Sequence, residues 1–181
     1  PFTGQLAQLY NRHAISYLSS KYFRASLGGV LRVNFNTSAD EVLENNAVPE
    51  WRIWHEYQFA QPIDRLMIYH RFRFEHRWSK DFAEESEYVF RNRWRYMFRM
   101  KVPLNQPTLT PGTIYLAPEA ELIMQSGKVV VDSPMEDLRL HASVGYIVHP
   151  RLTLASGLMY SMGQNLNDGS VYKQNWTLRV H

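Results

Sequence analysis

The sequence predicts an all-β chain and, more narrowly, an up-and-down antiparallel transmembrane β-barrel of ten or twelve strands, nine of which are visible. Three observations predict it. Long segments alternate apolar and polar residues with a period of two, where a helix would show 3.6. The connections between those segments alternate short and long along the chain. No segment competes as an amphipathic helix, and none offers the roughly 18 apolar residues of a spanning helix. A modest overall hydropathy does not exclude a membrane barrel, because strands that alternate apolar with polar positions average out.

The opening run from Gln5 to Leu18 alternates least cleanly. From Tyr22 to Phe35 one face carries Phe23, Ala25, Leu27, Leu31, Val33 and Phe35, and from Glu50 to Ala60 it carries Trp51, Ile53, Tyr57 and Phe59. The next segment sets Leu66, Ile68, Phe72, Phe74 and Trp78 against Arg65, Arg71, Arg73, Glu75 and Arg77. Clearest is Glu87 to Val102: Tyr88, Phe90, Asn92, Trp94, Tyr96, Phe98, Met100 and Val102 face one way, and the opposite face holds Arg91, Arg93, Arg95, Arg99 and Lys101. After Pro111, Ile114, Leu116, Leu122 and Met124 oppose Tyr115, Glu119, Glu121 and Gln125. Leu138, Leu140, Val144 and Tyr146 then oppose Asp137, Arg139, His141 and Ser143; Leu152, Leu154, Leu158 and Tyr160 oppose Thr153, Ala155 and Gly157. Tyr172, Trp176, Leu178 and Val180 close the chain against Lys173, Asn175 and Arg179.

Ser19-Ser20-Lys21, Gln61-Pro62-Ile63-Asp64 and His149-Pro150 read as tight turns, whereas 36–49, 79–86, 126–135 and 163–170 are longer and polar. Short turns on one rim and long loops on the other are the pattern of an outer-membrane barrel. The connection 104–111, with Pro107 and Pro111, is long for its short-turn slot. Counting directions, the first visible strand starts on the long-loop side. The expectation is therefore a single domain, 1–181, lacking one or three N-terminal strands, with any export signal removed or upstream and with the C-terminal end at His181 trimmed as well.

With 181 residues, the chain suits one domain. Twenty basic and 17 acidic residues leave a net charge of +3, weak grounds for nucleic acid. The absence of cysteine removes disulfides, thiolate zinc sites and thiol nucleophiles together. Fifteen of the basic residues are Arg, the residue suited to carboxylate pairing away from bulk water, so the charge is expected to be enclosed.

Alternation alone does not decide which face points inward. The polar face carries Arg71, Arg73, Glu75 and Arg77, then Arg91, Arg93 and Arg95, then Glu119 and Glu121, with Glu56 on the strand before. Like charges opposite one another weaken strand pairing, so these Arg need carboxylates reaching over from other strands, which an enclosed lumen supplies. The expectation is a nearly balanced Arg/Glu lumen. The apolar face holds Trp51, Trp78, Trp94, Tyr146, Tyr160 and Trp176, read as an aromatic girdle near strand ends. A hairpin turning at Pro62-Ile63 would pair Trp51 with Phe74, Ile53 with Phe72, Tyr57 with Ile68, and His55 with His70, the last an unusual outward pair suggesting a partner-facing patch.

The chain resembles an uncharacterised family of Gram-negative outer-membrane β-barrels known as a domain of unknown function. The resemblance rests on Tyr69-His70-Arg71-Phe72-Arg73-Phe74-Glu75-His76-Arg77 and on Arg91-Asn92-Arg93-Trp94-Arg95-Tyr96 with the later Val102-Pro103-Leu104. The Tyr115…Glu119 strand and the Gly145-Tyr146…Gly157-Leu158-Met159-Tyr160 hairpin complete it. It covers most of the chain from about residue 9, and it implies fold and a bacterial outer-membrane location but no catalytic residue.

Other chemistries fit less well. Arg and aromatic residues of the 91–96 run emerge on opposite faces of a strand and cannot grip one base, so no nucleic acid is expected. His141 and Ser143 share a face but show no third orienting group, and the lumen carboxylates are read as neutralising Arg; no catalytic residue and no enzyme are expected. Two His fall short of a metal site, and no metal or cofactor is expected. The expected function is a structural or accessory component of an outer-membrane assembly with a largely filled lumen, in contact with outer-membrane lipid and other outer-membrane proteins. The alternatives are a narrow anion-selective pore and a soluble ligand-binding β-barrel.

Overall fold

A computed structural model describes residues 6–36, 47–83, 85–128, 130, 132–165 and 169–180. These form nine antiparallel strands in one sheet, in the order of the chain: β1 (Gln8–Ser20), β2 (Phe23–Phe35), β3 (Ala47–Ile63), β4 (Leu66–Ser79), β5 (Val89–Pro103), β6 (Ile114–Ser126), β7 (Met135–His149), β8 (Leu152–Gln164) and β9 (Tyr172–Val180). Every alternating segment of the sequence is a strand, and there is no helix among the described residues. Each strand pairs with its neighbours in sequence; β1 and β9 each have one partner, so the sheet is open. No second layer covers it, yet residues of one face are deeply buried, among them Glu50 (3% exposed), Trp54 (4%), Met97 and Ile123. A flat single layer leaves both faces wet, so this burial comes from curling of the sheet around that face.

The tight turns lie at Lys21–Tyr22, Asp64–Arg65 and Pro150–Arg151. The β3–β4 hairpin corrects the expected register. β3 runs on through Pro62 to Ile63, and the chain reverses over Asp64 and Arg65, with Asp64 in the left-handed region (φ 52°) that a two-residue hairpin turn requires and Asp tolerates. Trp51 therefore pairs with Trp78, Ile53 with His76, Tyr57 with Phe72, and His55 with Phe74. His70 pairs with Phe59 instead of His55. The slip is four residues, an even number, so every side chain keeps its face while every partner changes.

The ten residues between β5 and β6 form a folded cap on the short-turn rim. Thr113 is fully buried, its hydroxyl donates to the Thr108 carbonyl (2.9 Å), and Asn105 accepts from the Ile114 N–H (2.7 Å). Arg65 from the neighbouring turn donates to the Pro103 carbonyl (2.9 Å), and Gly112 and Thr113 continue the pairing onto Ile147. The β5–β6 pairing ends at Leu104 and Ile114, and beyond it side chains satisfy backbone groups that the strands no longer reach.

Candidate functional site

The inner face is fixed by strand parity: even positions of β1–β3 and odd positions of β4–β9. It carries a lattice of guanidinium and carboxylate groups. Glu50, Glu56, Glu75 and Glu121 are the buried carboxylates. Glu50 accepts from Arg52 Nε (2.5 Å) and Arg77 Nε (2.9 Å), with Arg32 at 3.7 Å. Glu56 accepts from Arg73 (2.7 and 2.5 Å) and faces Arg24 and Arg71 at 3.6 and 3.8 Å. Glu75 lies between Arg73, Arg93 and Arg95 at 3.8, 3.5 and 3.4 Å. Glu121 takes Arg71 Nη2 at 2.5 Å and Arg95 Nη2 at 2.9 Å on both oxygens, with Arg139 at 3.7 Å.

Arg73 lies directly opposite Arg95, and Arg77 opposite both Arg91 and Arg52. These like-charge rungs are offset by carboxylates from other strands, as the sequence requires: Glu56 of β3 takes Arg73, Glu121 of β6 takes Arg95 and Glu50 of β3 takes Arg77. Longer reaches carry Arg71 of β4 over β5 to Glu121 of β6, and Arg93 of β5 over β6 to Glu136 of β7. Arg99 pairs with Glu119 (2.5 Å). Arg91 lines a hollow of about 560 Å³ at the long-connection end with Arg32, Arg77 and Arg93, and its Nε is buried without an acceptor among the described residues.

Several members of the lattice escape sequence reasoning, among them Glu136, Trp54, Glu50 and Arg52. Glu136 occupies a position whose parity points outward. A bulge opposite Ile123/Met124 turns it inward onto Arg93, which is how an extra residue re-aims a side chain. Trp54 stands on the inner face among the charges, its indole sandwiched by the guanidinium carbons of Arg12 and Arg73, each 4.5 Å from the ring centroid. A β-carbon at Gly28 would overlap that indole, so the glycine makes room for it. Glu50 with Arg52, and Arg24 and Arg32 on β2, complete the additions.

The expected balance of the lattice is corrected. On the nine strands the inner face holds fifteen cations and seven carboxylates, an excess of eight positive charges. The other ten acidic residues belong to the connections, which is why the whole chain is only +3.

The outer face carries no Asp, Glu, Lys or Arg on any strand. It presents Ile15, Leu27, Trp51, Ile53, Phe72, Trp94, Leu140, Val144, Leu158, Trp176 and Leu178 exposed. The six aromatic residues expected in a girdle all lie on it. Trp51, Trp78 and Phe90 make one rung, and Tyr160 packs on Trp176 at 5.1 Å. Tyr146 pairs with Leu154 near a turn, but Trp94, against Phe74 and Met124, and Trp176 are mid-strand, because the pairing rungs run obliquely to the rims. His55 stacks on Phe74 at 4.8 Å, and His70 Nδ1 lies 2.9 Å from the Tyr96 hydroxyl, so the two imidazoles have separate settings. Among the described residues no three His, Asp or Glu side chains group as a metal ion requires.

Over residues 2–172 the chain matches the family described as "Protein of unknown function (DUF2490)", and it belongs to that family. Neither the curated proteins nor the solved structures contain a match to it.

Proposed function

We propose that the chain is an outer-membrane β-barrel protein, an up-and-down barrel of ten or twelve strands, that acts as a structural or accessory component of an outer-membrane assembly, its lumen largely filled by the arginine–carboxylate lattice. The observation that carries this reading is the outer face. Twenty-two charged side chains lie on the strands, all on the inner face, and the surface left outside is apolar over far more than the few hundred Å² that a protein in water exposes. Lipid is the solvent such a surface suits.

The stagger of the strands supports closure into a barrel. The rung through Phe23, the first residue of β2, runs through Phe59, His70, Phe98, Ala120 and Leu140 to Tyr160, the ninth residue of β8. A climb of eight residues at about 3.3 Å over six strand spacings of about 4.8 Å is a tilt of roughly 40°, the value of membrane barrels. Ten or twelve strands at that tilt enclose a backbone radius of roughly 10–12 Å, which Arg side chains from facing walls largely fill.

Fractionation tests the reading. The protein is expected in the outer membrane, resistant to salt and alkaline wash and extracted by detergent, and a detergent pull-down with mass identification then finds its companions. Release without detergent would favour the soluble ligand-binding barrel. A second reading, a narrow anion-selective pore, draws on the eight excess inner cations. In planar bilayers the filled lumen predicts little or no conductance; small anion-selective currents that lose selectivity in Arg93→Ala or Arg73→Ala would replace it with the pore.

A further inference from the structure

The inner face is not filled evenly. The lattice packs β3–β5 with long charged side chains, whereas near the short-turn rim β6–β8 present Ala117, Ser143, Gly145 and Ala155. A β-carbon at 145 would overlap the Tyr115 ring, so glycine there lets the phenol lie against the wall. What remains is a hollow of about 250 Å³ lined by Arg99, Lys101, Tyr115, Ser143, Thr153 and Arg179, among others, and by no carboxylate. Lys101 Nζ lies over the Tyr115 ring (4.8 Å to the centroid) and the Tyr69 ring (5.9 Å). Arg179 Nη1 reaches the Met159 sulfur at 3.6 Å. Among the described residues neither cation has a carboxylate within ion-pair distance, unlike Arg71, Arg73, Arg93 and Arg95; Arg99 is shared with Glu119.

We propose that this hollow binds a phosphate group, as inorganic phosphate or a small phosphate monoester. Two cations without carboxylates match a dianion, and the guanidinium fork of Arg179 suits oxyanion geometry. Hydroxyls of Ser143, Thr153 and Tyr115 around the rim can donate to the further oxygens that distinguish phosphate from a carboxylate. The charge of the connections points the same way. The short turns hold Lys21, Arg65 and Arg151 against Asp64, while the long connections hold nine acidic residues against Lys80 and Lys128. An anion is therefore drawn toward the short-turn rim, near which the hollow lies. The inference does not depend on conduction, since a filled lumen and a conducting one both keep the hollow.

The test is titration calorimetry of the full-length folded chain with inorganic phosphate, glycerol 3-phosphate, acetate and chloride at constant ionic strength. It is run in detergent micelles or, if the chain folds without detergent, in buffer, so failure of the membrane reading does not decide the outcome. Saturable phosphate binding, weaker or absent for acetate and chloride, is expected. Retention of glycerol 3-phosphate identifies an ester site, and its loss a site for the free ion. Lys101→Gln and Arg179→Gln should each weaken phosphate binding at least tenfold, and Ala155→Leu should do so by filling the hollow with all charges in place. Lys128→Gln, on a long connection at the other rim, should leave affinity unchanged. No saturable heat from folded protein, equal binding of acetate, or unchanged affinity in any of the three hollow variants that retains the native circular dichroism spectrum overturns the proposal.

Discussion

Leu152 and Leu158 stand on the outer face of one strand with nearly equal exposure, 51% and 56%, and an arginine at each separates a lipid-facing surface from a water-facing one. In water, two exposed sites of the same strand respond alike, within about 0.5 kcal/mol. In a bilayer, strand position becomes depth. Leu152 is the first residue of β8 and Leu158 the seventh of 13, so six steps of about 3.3 Å along a strand tilted by roughly 40° place Leu158 about 15 Å farther from the short-turn rim. That distance is about half of an apolar band some 25 Å tall, which takes Leu158 to the midplane when Leu152 is at the interface. Leu158→Arg should then cost about 2–4 kcal/mol and Leu152→Arg about 0–1 kcal/mol. The assay is denaturant unfolding of the chain in lipid vesicles, followed by tryptophan fluorescence. Two small and equal costs would refute the lipid-facing assignment, whatever the fractionation result.

Two further substitutions probe the inner face, each by the same denaturation assay. Glu121→Gln leaves Arg71, Arg95 and Arg139 facing a neutral amide in a buried setting and should cost about 3–5 kcal/mol, whereas Glu119→Gln affects the half-exposed Arg99 and should cost about 1 kcal/mol or less; equal costs would show that the lattice is not enclosed. Gly28→Ala drives a β-carbon into the Trp54 indole and the His13 carbonyl and should cost about 1–3 kcal/mol while altering the near-ultraviolet dichroism of that tryptophan; a neutral variant with an unchanged spectrum would contradict the sandwich of Trp54 between Arg12 and Arg73.

Facing was legible in the sequence because the side-chain period of a strand is two whatever its partner. Arg71, Arg73, Arg93 and Arg95, with Glu56, Glu75, Glu119 and Glu121, fall on one side from spacing alone, and the structure joins them by ion pairs. Register was not legible, because it depends on where the turn falls. Pro62 looks like a turn residue but lies within a strand that ends at Ile63, and Asp64 is read correctly only once its left-handed backbone is seen. Glu136 was hidden for a related reason: a bulge breaks the period locally, and no residue type announces it. Trp54 was hidden by its apolar character, since a ring on a charged face looks like an error of alternation until two guanidinium groups are found on it.

The charge of the chain has a direction that its sum conceals. Eight positive charges in excess on the inner wall, two on the short turns and seven negative on the long connections add to the net +3. Inside a curled wall of low dielectric the excess repels itself, and a lattice meant only to hold strands together would gain by replacing Lys101 or Arg179 with a neutral side chain, neither having a carboxylate to satisfy among the described residues. Their placement is instead intelligible if something anionic shares the inner face. Mobile chloride would satisfy that need anywhere along the wall. Arg91 Nε also lacks an acceptor among the described residues, at the other end, but Lys101 and Arg179 line one hollow beside small residues, at the rim whose turns are also basic, and that pairing favours an anion held in one place.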